Sequence, residues 1–353
     1  MSFARGLRDI LAGSPERAVL ALVVLAVGLT FLPARKRDPQ EGAAHPGAAR
    51  IGLVFDVGGR GDKSFNDAAY IGLMRAKQEL GVDINFLEPV NSEDREGALR
   101  LFAARKLDLI IGVGFIFSSD IDAVARAYPD VRFACIDYAS FSKDGPPANV
   151  TGLVFREEEG SFLVGAAAGL LSRTHHVGFV GGMITPLIRK FEVGYMAGVK
   201  ATCESCGVSS AYAGATPDAF KDPAKGKALA ISEIAAGADV LYHASGATGH
   251  GVFEAAHDAN AMAIGVDADQ YDEMPGTVVT SMIKRMDVTV FDAIRDVAAG
   301  KLEGGIHVYG VKEGAIDWLH EGPHSARIPD DVKARVEALR AQIAAGTIHV
   351  PSE

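Results

Sequence analysis

Residues 51–81 read IGLVFDVGGRGDKSFNDAAYIGLMRAKQELG. The first five, 51–55, are apolar or glycine and too short for a helix, so they predict a buried strand. Asp56 ends that run. Residues 57–61 carry three glycines, which let the backbone turn sharply and leave its amides uncovered. Ser64 is the expected N-cap of a helix over Phe65–Leu80, where Ala69, Leu73, Ala76 and Leu80 recur at helical spacing. Strand, glycine turn and helix open a βαβ unit. In an open parallel sheet, ligands sit beyond the C-terminal ends of the strands, and Asp56 with its glycine turn occupies such an end.

Two nucleotide readings of this turn fail on spacing. After Gly59-Arg60-Gly61 the chain continues Asp62-Lys63-Ser64, so the third glycine of a dinucleotide fingerprint is missing. A phosphate-cradling loop needs glycine directly before Lys-Ser, where Asp62 stands, and its carboxylate repels phosphate.

The same strand–helix alternation runs on. Strands are expected at 83–86, 107–113, 131–136 and 150–155, with helices at 93–104 and 119–127. A glycine- and alanine-rich helix, 157–171, begins a second unit with strands at 176–180, 208–213, 240–244 and 261–266 and helices at 187–203, 222–236 and 251–258. Pro223 suits the first turn of its helix. A strand at 277–283 is expected to cross back, followed by a helix at 287–299, a strand at 307–311 and a final amphipathic helix at 330–345.

Several stretches resemble one family in order. DVGGRGDKSFNDAAYIGL, beginning at Asp56, is similar to the N-terminal signature of the basic membrane protein family, substrate-binding proteins of ABC importers whose best-understood members bind purine nucleosides. The resemblance continues through DPAKGKALA from Asp222, ASGATGHGVFEAA, AIGVDADQ, TSMIKRMDV and IPDDVKARVEALRAQI, and so covers nearly everything from Ile51 onward. It implies an α/β, type I periplasmic binding protein fold: two doubly wound parallel-sheet lobes joined by hinge strands. The expected division is a signal or anchor segment and tether at 1–50, a first lobe of 51–154 plus 277–303, and a second of 155–276 plus 304–353.

The 353 residues are 48% hydrophobic, enough for a large core in two domains. Formal charge is −10; residues 1–50 hold seven Lys/Arg and four Asp/Glu, leaving 28 against 41, a net −13 for the body. An acidic body argues against nucleic acid and anionic membrane surfaces as partners. The apolar run 18–32 has Arg5, Arg8 and Arg17 before it and Arg35-Lys36-Arg37 after it. Its length fits a signal-peptide core or short anchor better than a full span. The flanking charges leave its orientation open. Family members are usually lipoproteins, yet no cysteine follows this run to accept a lipid. An uncleaved anchor is expected, with cleavage near Ala49 the alternative; residues 33–49 read as a tether. Either way the body is periplasmic or at the cell surface.

Three cysteines are too few for a disulfide scaffold. Cys135 lies in an apolar run and reads as an inert thiol; Cys203 and Cys206 form a C-x-x-C pair suited to a small structural disulfide in an oxidising compartment.

Asp56, Asp137 and Asp267 each stop an apolar run, and Gly246 sits past another, so all four are expected to face the crevice. Each aspartate alone is also an ordinary turn or cap residue. Together they favour a neutral or cationic polar ligand over a phosphate. Phe65 starts a helix after the glycine turn, and Phe220 lies in the loop TPDAFKDP of the other lobe. By resemblance, Phe65 and Phe220 stack on the base, Asp56, Asn66 and Asp137 hold its polar edges, and Gly246, Asp267 and Lys284 hold the ribose side. The inserted Thr216-Pro217 makes Phe220 the least certain of these by sequence, with Phe191 a second candidate that otherwise reads as helix packing. His243, His250 and His257 recur every seven residues but fall on a strand, a turn and a helix, which argues for pocket-lining or solvent-facing groups over a metal site. Trp318 reads as packing.

Three functions compete: a monomeric nucleoside-binding protein serving an ABC permease, a ligand-sensing ectodomain of the same fold, and an enzyme. The enzyme reading lacks a dinucleotide fingerprint, a nucleophile–base pair and a metal cluster, so no catalytic residue, metal or cofactor is expected.

Overall fold

The computed structural model describes residues 47–89, 94–139, 143 and 145–353. The apolar run 18–32 and most of the tether lie outside them. Among the described residues no helix is long and apolar enough to cross a membrane.

The first sheet is built from β1 (Arg50–Val54), β2 (Asp83–Leu87), β3 (Leu109–Val113), β4 (Arg132–Ile136) and β5 (Val150–Phe155), with the late strand β11 (Gly305–Tyr309). Its order is β11-β5-β4-β3-β1-β2, every pairing parallel. The second holds β6 (His176–Met183), β7 (Gly207–Gly214), β8 (Val240–Ala244), β9 (Met262–Asp267), β10 (Val278–Lys284) and β12 (Ile316–Trp318). Its order is β12-β10-β9-β8-β6-β7, parallel except for β10 with β12. The two sheets therefore share one winding, with the switch point between the first and third strands of each.

Strand β1 shows why these runs become central strands. Ile51, Leu53 and Phe55 enter one apolar cluster while Val54 enters another on the opposite face. Both faces are covered by helices, so the strand is buried throughout rather than alternating. Helix α1 (Phe65–Leu80) follows the glycine turn and ends at Gly81 in the left-handed region, φ 66°. The small residues of α4 (Glu157–Leu171) let it pack tightly on α5 (Pro186–Thr202): a Cβ at Gly165 or Gly198 would collide with backbone of the partner helix.

Two strands exchange lobes relative to expectation. The strand at 277–283, expected with the first lobe, pairs with β9 in the second sheet, whereas that at 307–311, expected with the second, pairs with β5 in the first. Burial explains both positions. Strand β10 is buried along almost its whole length and fits between two neighbours, while Ile306 and Val308 of β11 are exposed, as an edge strand allows. Helix α8 (Met286–Ala298) does pack on α1 of the first lobe. The chain thus crosses between lobes three times, at β5–α4, β10–α8 and β11–β12. The crossings are tied together: Arg156 N donates to Tyr309 O and Arg285 N to Ala315 O, both 2.8 Å. Val311 N donates to Glu159 Oε2 at 2.7 Å.

Cys203 and Cys206 are joined in a disulfide, and Cys135 is a buried free thiol. Trp318 is buried, its Nε1 donating to Glu337 at 2.8 Å. Ser64 is not the side-chain cap of α1. That part falls to Asp62, whose carboxylate accepts from Asn66 N at 2.8 Å and Asp67 N at 3.1 Å.

Candidate functional site

The strand ends of both sheets meet at one cavity, partly open to solvent. All eight residues expected at the site line it: Asp56, Phe65, Asn66, Asp137, Phe220, Gly246, Asp267 and Lys284. Asp137 follows β4 and Asp267 ends β9, similar positions in the two lobes. Both are in the left-handed region, φ 58° and 67°, which aspartate tolerates better than most side chains.

Asp56 leaves β1 at the first lobe's switch point, its Oδ1 accepting from Val57 N at 2.5 Å. Asn66 lines the cavity, yet its amide is committed to the protein: Oδ1 accepts from Asp56 N at 3.0 Å and Nδ2 donates to Asp62 at 3.0 Å. It braces the turn that holds Asp56. Burial pushes the Asp56 carboxyl up to about 7 and also raises Asp62.

Lys284, 1% exposed, ends β10 at the second crossing. Its ammonium donates to Asp137 Oδ1 at 2.5 Å and to Glu157 Oε1 at 3.0 Å. Lys190 reaches the other oxygen of Glu157 at 3.1 Å and Phe155 O at 3.0 Å. Burial opposes the charge on Lys284, but Asp137, Glu157 and Asp267 outweigh it and hold the group protonated. Burial also pushes Glu157 up, but Lys284 and Lys190 hold it below the usual carboxylate range. For Asp137 burial wins over Lys284 and raises it to about 7. The Lys284 ammonium lies 5.3, 4.7 and 5.9 Å from the ring centroids of Phe65, Phe155 and Phe191, within cation–π reach.

Asp267 spends one oxygen within the protein, Oδ2 accepting from Ser64 Oγ at 2.7 Å. Its Oδ1 is buried without a partner. Burial pushes this carboxyl up to about 6. Phe220 sits at the end of a short 3-10 turn, Pro217–Phe220. Its ring lies where a Cβ on Gly182 would be, and its backbone oxygen lies 3.1 Å from where a Cβ on Gly246 would be. The inserted Thr216-Pro217 therefore does not remove Phe220 from the cavity. Phe191 is nearly buried, as helix packing predicts, and lines the cavity as well.

Sequence reasoning missed Asp62, Phe115 and Glu157. In sequence Asp62 reads only as an obstacle to phosphate. Glu157 opens the run Glu157-Glu158-Glu159, which reads locally as favourable charge at a helix N-terminus; its pairing with Lys284 is a matter of the fold. The histidines separate. His243 is fully buried, neither solvent-facing nor pocket-lining, and burial pushes it down to about 3. It bonds Gln270 at 3.1 Å, while His250 meets Glu273 at 2.8 Å and His257 meets Thr277 at 3.1 Å. Exposed His175 lies beside half-buried Cys203 and buried Cys206, but the two sulfurs bond each other.

Among the described lining residues are four carboxylates, one ammonium group and four phenylalanines. Such a lining suits a flat, polar, uncharged or cationic small molecule and disfavours a phosphate.

A family model described as ABC transporter substrate-binding protein PnrA-like matches residues 49–352. A lipoprotein of Pyrococcus abyssi is 38% identical over 280 residues, 76% of this chain and 68% of that one. The ABC transporter nucleoside-binding protein BmpA of Lactococcus lactis is 31% identical over 326 residues, 86% of this chain and 89% of that one. The crystal structure of an ABC transporter solute-binding protein from Aeropyrum pernix superposes with a TM-score of 0.78 at 32% identity, covering 86% of this chain and 94% of that one. The two-lobed fold is thus that of a type I periplasmic solute-binding protein, a class that binds rather than transforms its ligand.

Proposed function

The chain belongs to the PnrA-like family of ABC transporter substrate-binding proteins, and we propose that it captures a nucleoside, a purine nucleoside in the first instance, between its lobes and delivers it to a membrane permease. The observation that carries this reading is the lining itself: Phe65 from one lobe, Phe220 from the other, and aspartates at the strand ends of both. A base held between two phenyl rings gains about 1–3 kcal/mol per stacked contact. In this reading Asp56 and Asp137 accept from N–H groups on its edge. Asp267 and Lys284, on the second lobe's side, suit ribose hydroxyls: the free Oδ1 of Asp267 accepts, and the ammonium donates. With both switch points at the cavity, lobe closure about the three crossings would enclose the ligand. The protein acts as a monomer outside the cytoplasmic membrane, held by its N-terminal segment or released from it.

Calorimetric titration of the purified protein with adenosine, guanosine, inosine and cytidine tests the reading. Binding of at least one without turnover is expected; no heat with any of them removes the nucleoside assignment. Phe65→Ala should weaken binding about tenfold or more, since about 1.4 kcal/mol is one decade. Unchanged affinity would mean that the ring does not stack.

A further inference from the structure

Ser64 is fully buried at the start of α1 in the first lobe, yet its hydroxyl points into the second. It donates to Asp267 Oδ2 at 2.7 Å, with Val266 O at 3.3 Å beside it. Its own N–H is held by Asp62 Oδ1 at 3.0 Å, which fixes the residue in the turn. Asp267 therefore divides its carboxylate. One oxygen is taken by the opposite lobe, and the other is buried, unpartnered and on a residue that lines the cavity. Asp267 also sits in the left-handed backbone region.

We propose that Ser64 is the positioning residue for Asp267: its hydroxyl bridges the closed lobes and aims the free oxygen of Asp267 at the ligand. This rests on the nucleoside reading only for the nature of the ligand. The bridge exists only when the lobes are closed, so the grip of Asp267 and the closure of the cleft become one event. A ligand that satisfies Oδ1 completes a carboxylate already oriented by Ser64, which lowers the ordering cost of binding. Ligand escape requires the bridge to break.

Three variants of the full chain test this. Ser64→Ala removes the bridge, Ser64→Thr keeps the hydroxyl, and Asp267→Asn keeps an oxygen for Ser64 while offering an amide to the cavity. Small-angle scattering of ligand-free protein reads lobe closure and needs no ligand. Ser64→Ala should shift it toward the open form, while Ser64→Thr and Asp267→Asn should stay near the parent. Titration and stopped-flow displacement of the nucleoside bound by the parent read the second half. Ser64→Ala should bind about tenfold more weakly, mainly through faster dissociation, Ser64→Thr should recover most of that, and Asp267→Asn should bind weakly despite remaining closed. Scattering unchanged by Ser64→Ala, or dissociation within twofold of the parent, overturns the proposal. If no nucleoside binds the parent, the functional reading fails, and the scattering arm still decides the bridge.

Discussion

Replacing Lys284 with methionine keeps the length and apolar stem of the side chain and removes one charge. At 1% exposure, with Asp137 at 2.5 Å and Glu157 at 3.0 Å, the ammonium has no water to replace it. Breaking a buried pair on one side costs about 3–5 kcal/mol, because the partner charge stays buried. Lys190 still neutralises Glu157, so the lower part of that range applies and Asp137 carries most of the damage. At about 2–4 °C per kcal/mol for a chain of this order, the expected fall in Tm is roughly 10 °C. Scanning calorimetry of the ligand-free protein at pH 7 reads it directly. Asp137, already raised to about 7 in the parent by burial, loses its cation in the variant and is raised further above its unfolded value. Its neutral form is favoured in the fold, so the deficit shrinks as pH falls and grows as pH rises through the raised value. Adding Asp137→Asn should restore part of the loss, giving a coupling of about 0.5–3 kcal/mol. A Tm within about 2 °C of the parent, or strictly additive effects, would refute the view that this ammonium neutralises the floor of the cleft.

Three other outcomes follow from the geometry. Gly182→Ala puts a methyl group into the Phe220 ring, so nucleoside affinity should drop about tenfold, with no further loss when Phe220→Ala is already present; additive losses in titration would separate the two. Burial raises Asp56 and Asp137 to about 7, so accepting ligand N–H groups there as carboxylates requires proton release: affinity should rise with pH up to about 7 and level off above, and Asp56→Asn should lessen that slope, leaving the part due to Asp137. Reducing Cys203–Cys206 with a dithiol opens a loop of sequence separation 3 and should cost about 2 kcal/mol by denaturant titration, leaving affinity unchanged because the bridge lies at the end of the second lobe opposite the cavity.

Much of this protein is legible one strand at a time. Apolar runs of five or six residues ending in Asp56, Asp137 and Asp267 mark central parallel strands and their ligand-facing ends, because burial on both faces and a polar stop are local properties of the chain. Phe65, after the glycine turn, is placed by the same logic. What the chain could not disclose is which partners those elements meet. Strands β10 and β11 change sheets because pairing is set by the assembled sheet and not by the strand itself: β11 joins β5, far back in the chain, while β10 settles between β9 and β12. Ser64 looks like a helix cap, but Asp62 takes that part and frees the hydroxyl to reach Asp267, 203 residues on. Glu157 looks like a favourable charge at a helix N-terminus, and only the convergence of three crossings sets it against Lys284 and Lys190. Periodicity and turn chemistry are fixed by neighbours in sequence, whereas a shared carboxylate or a buried ammonium is fixed by neighbours in space.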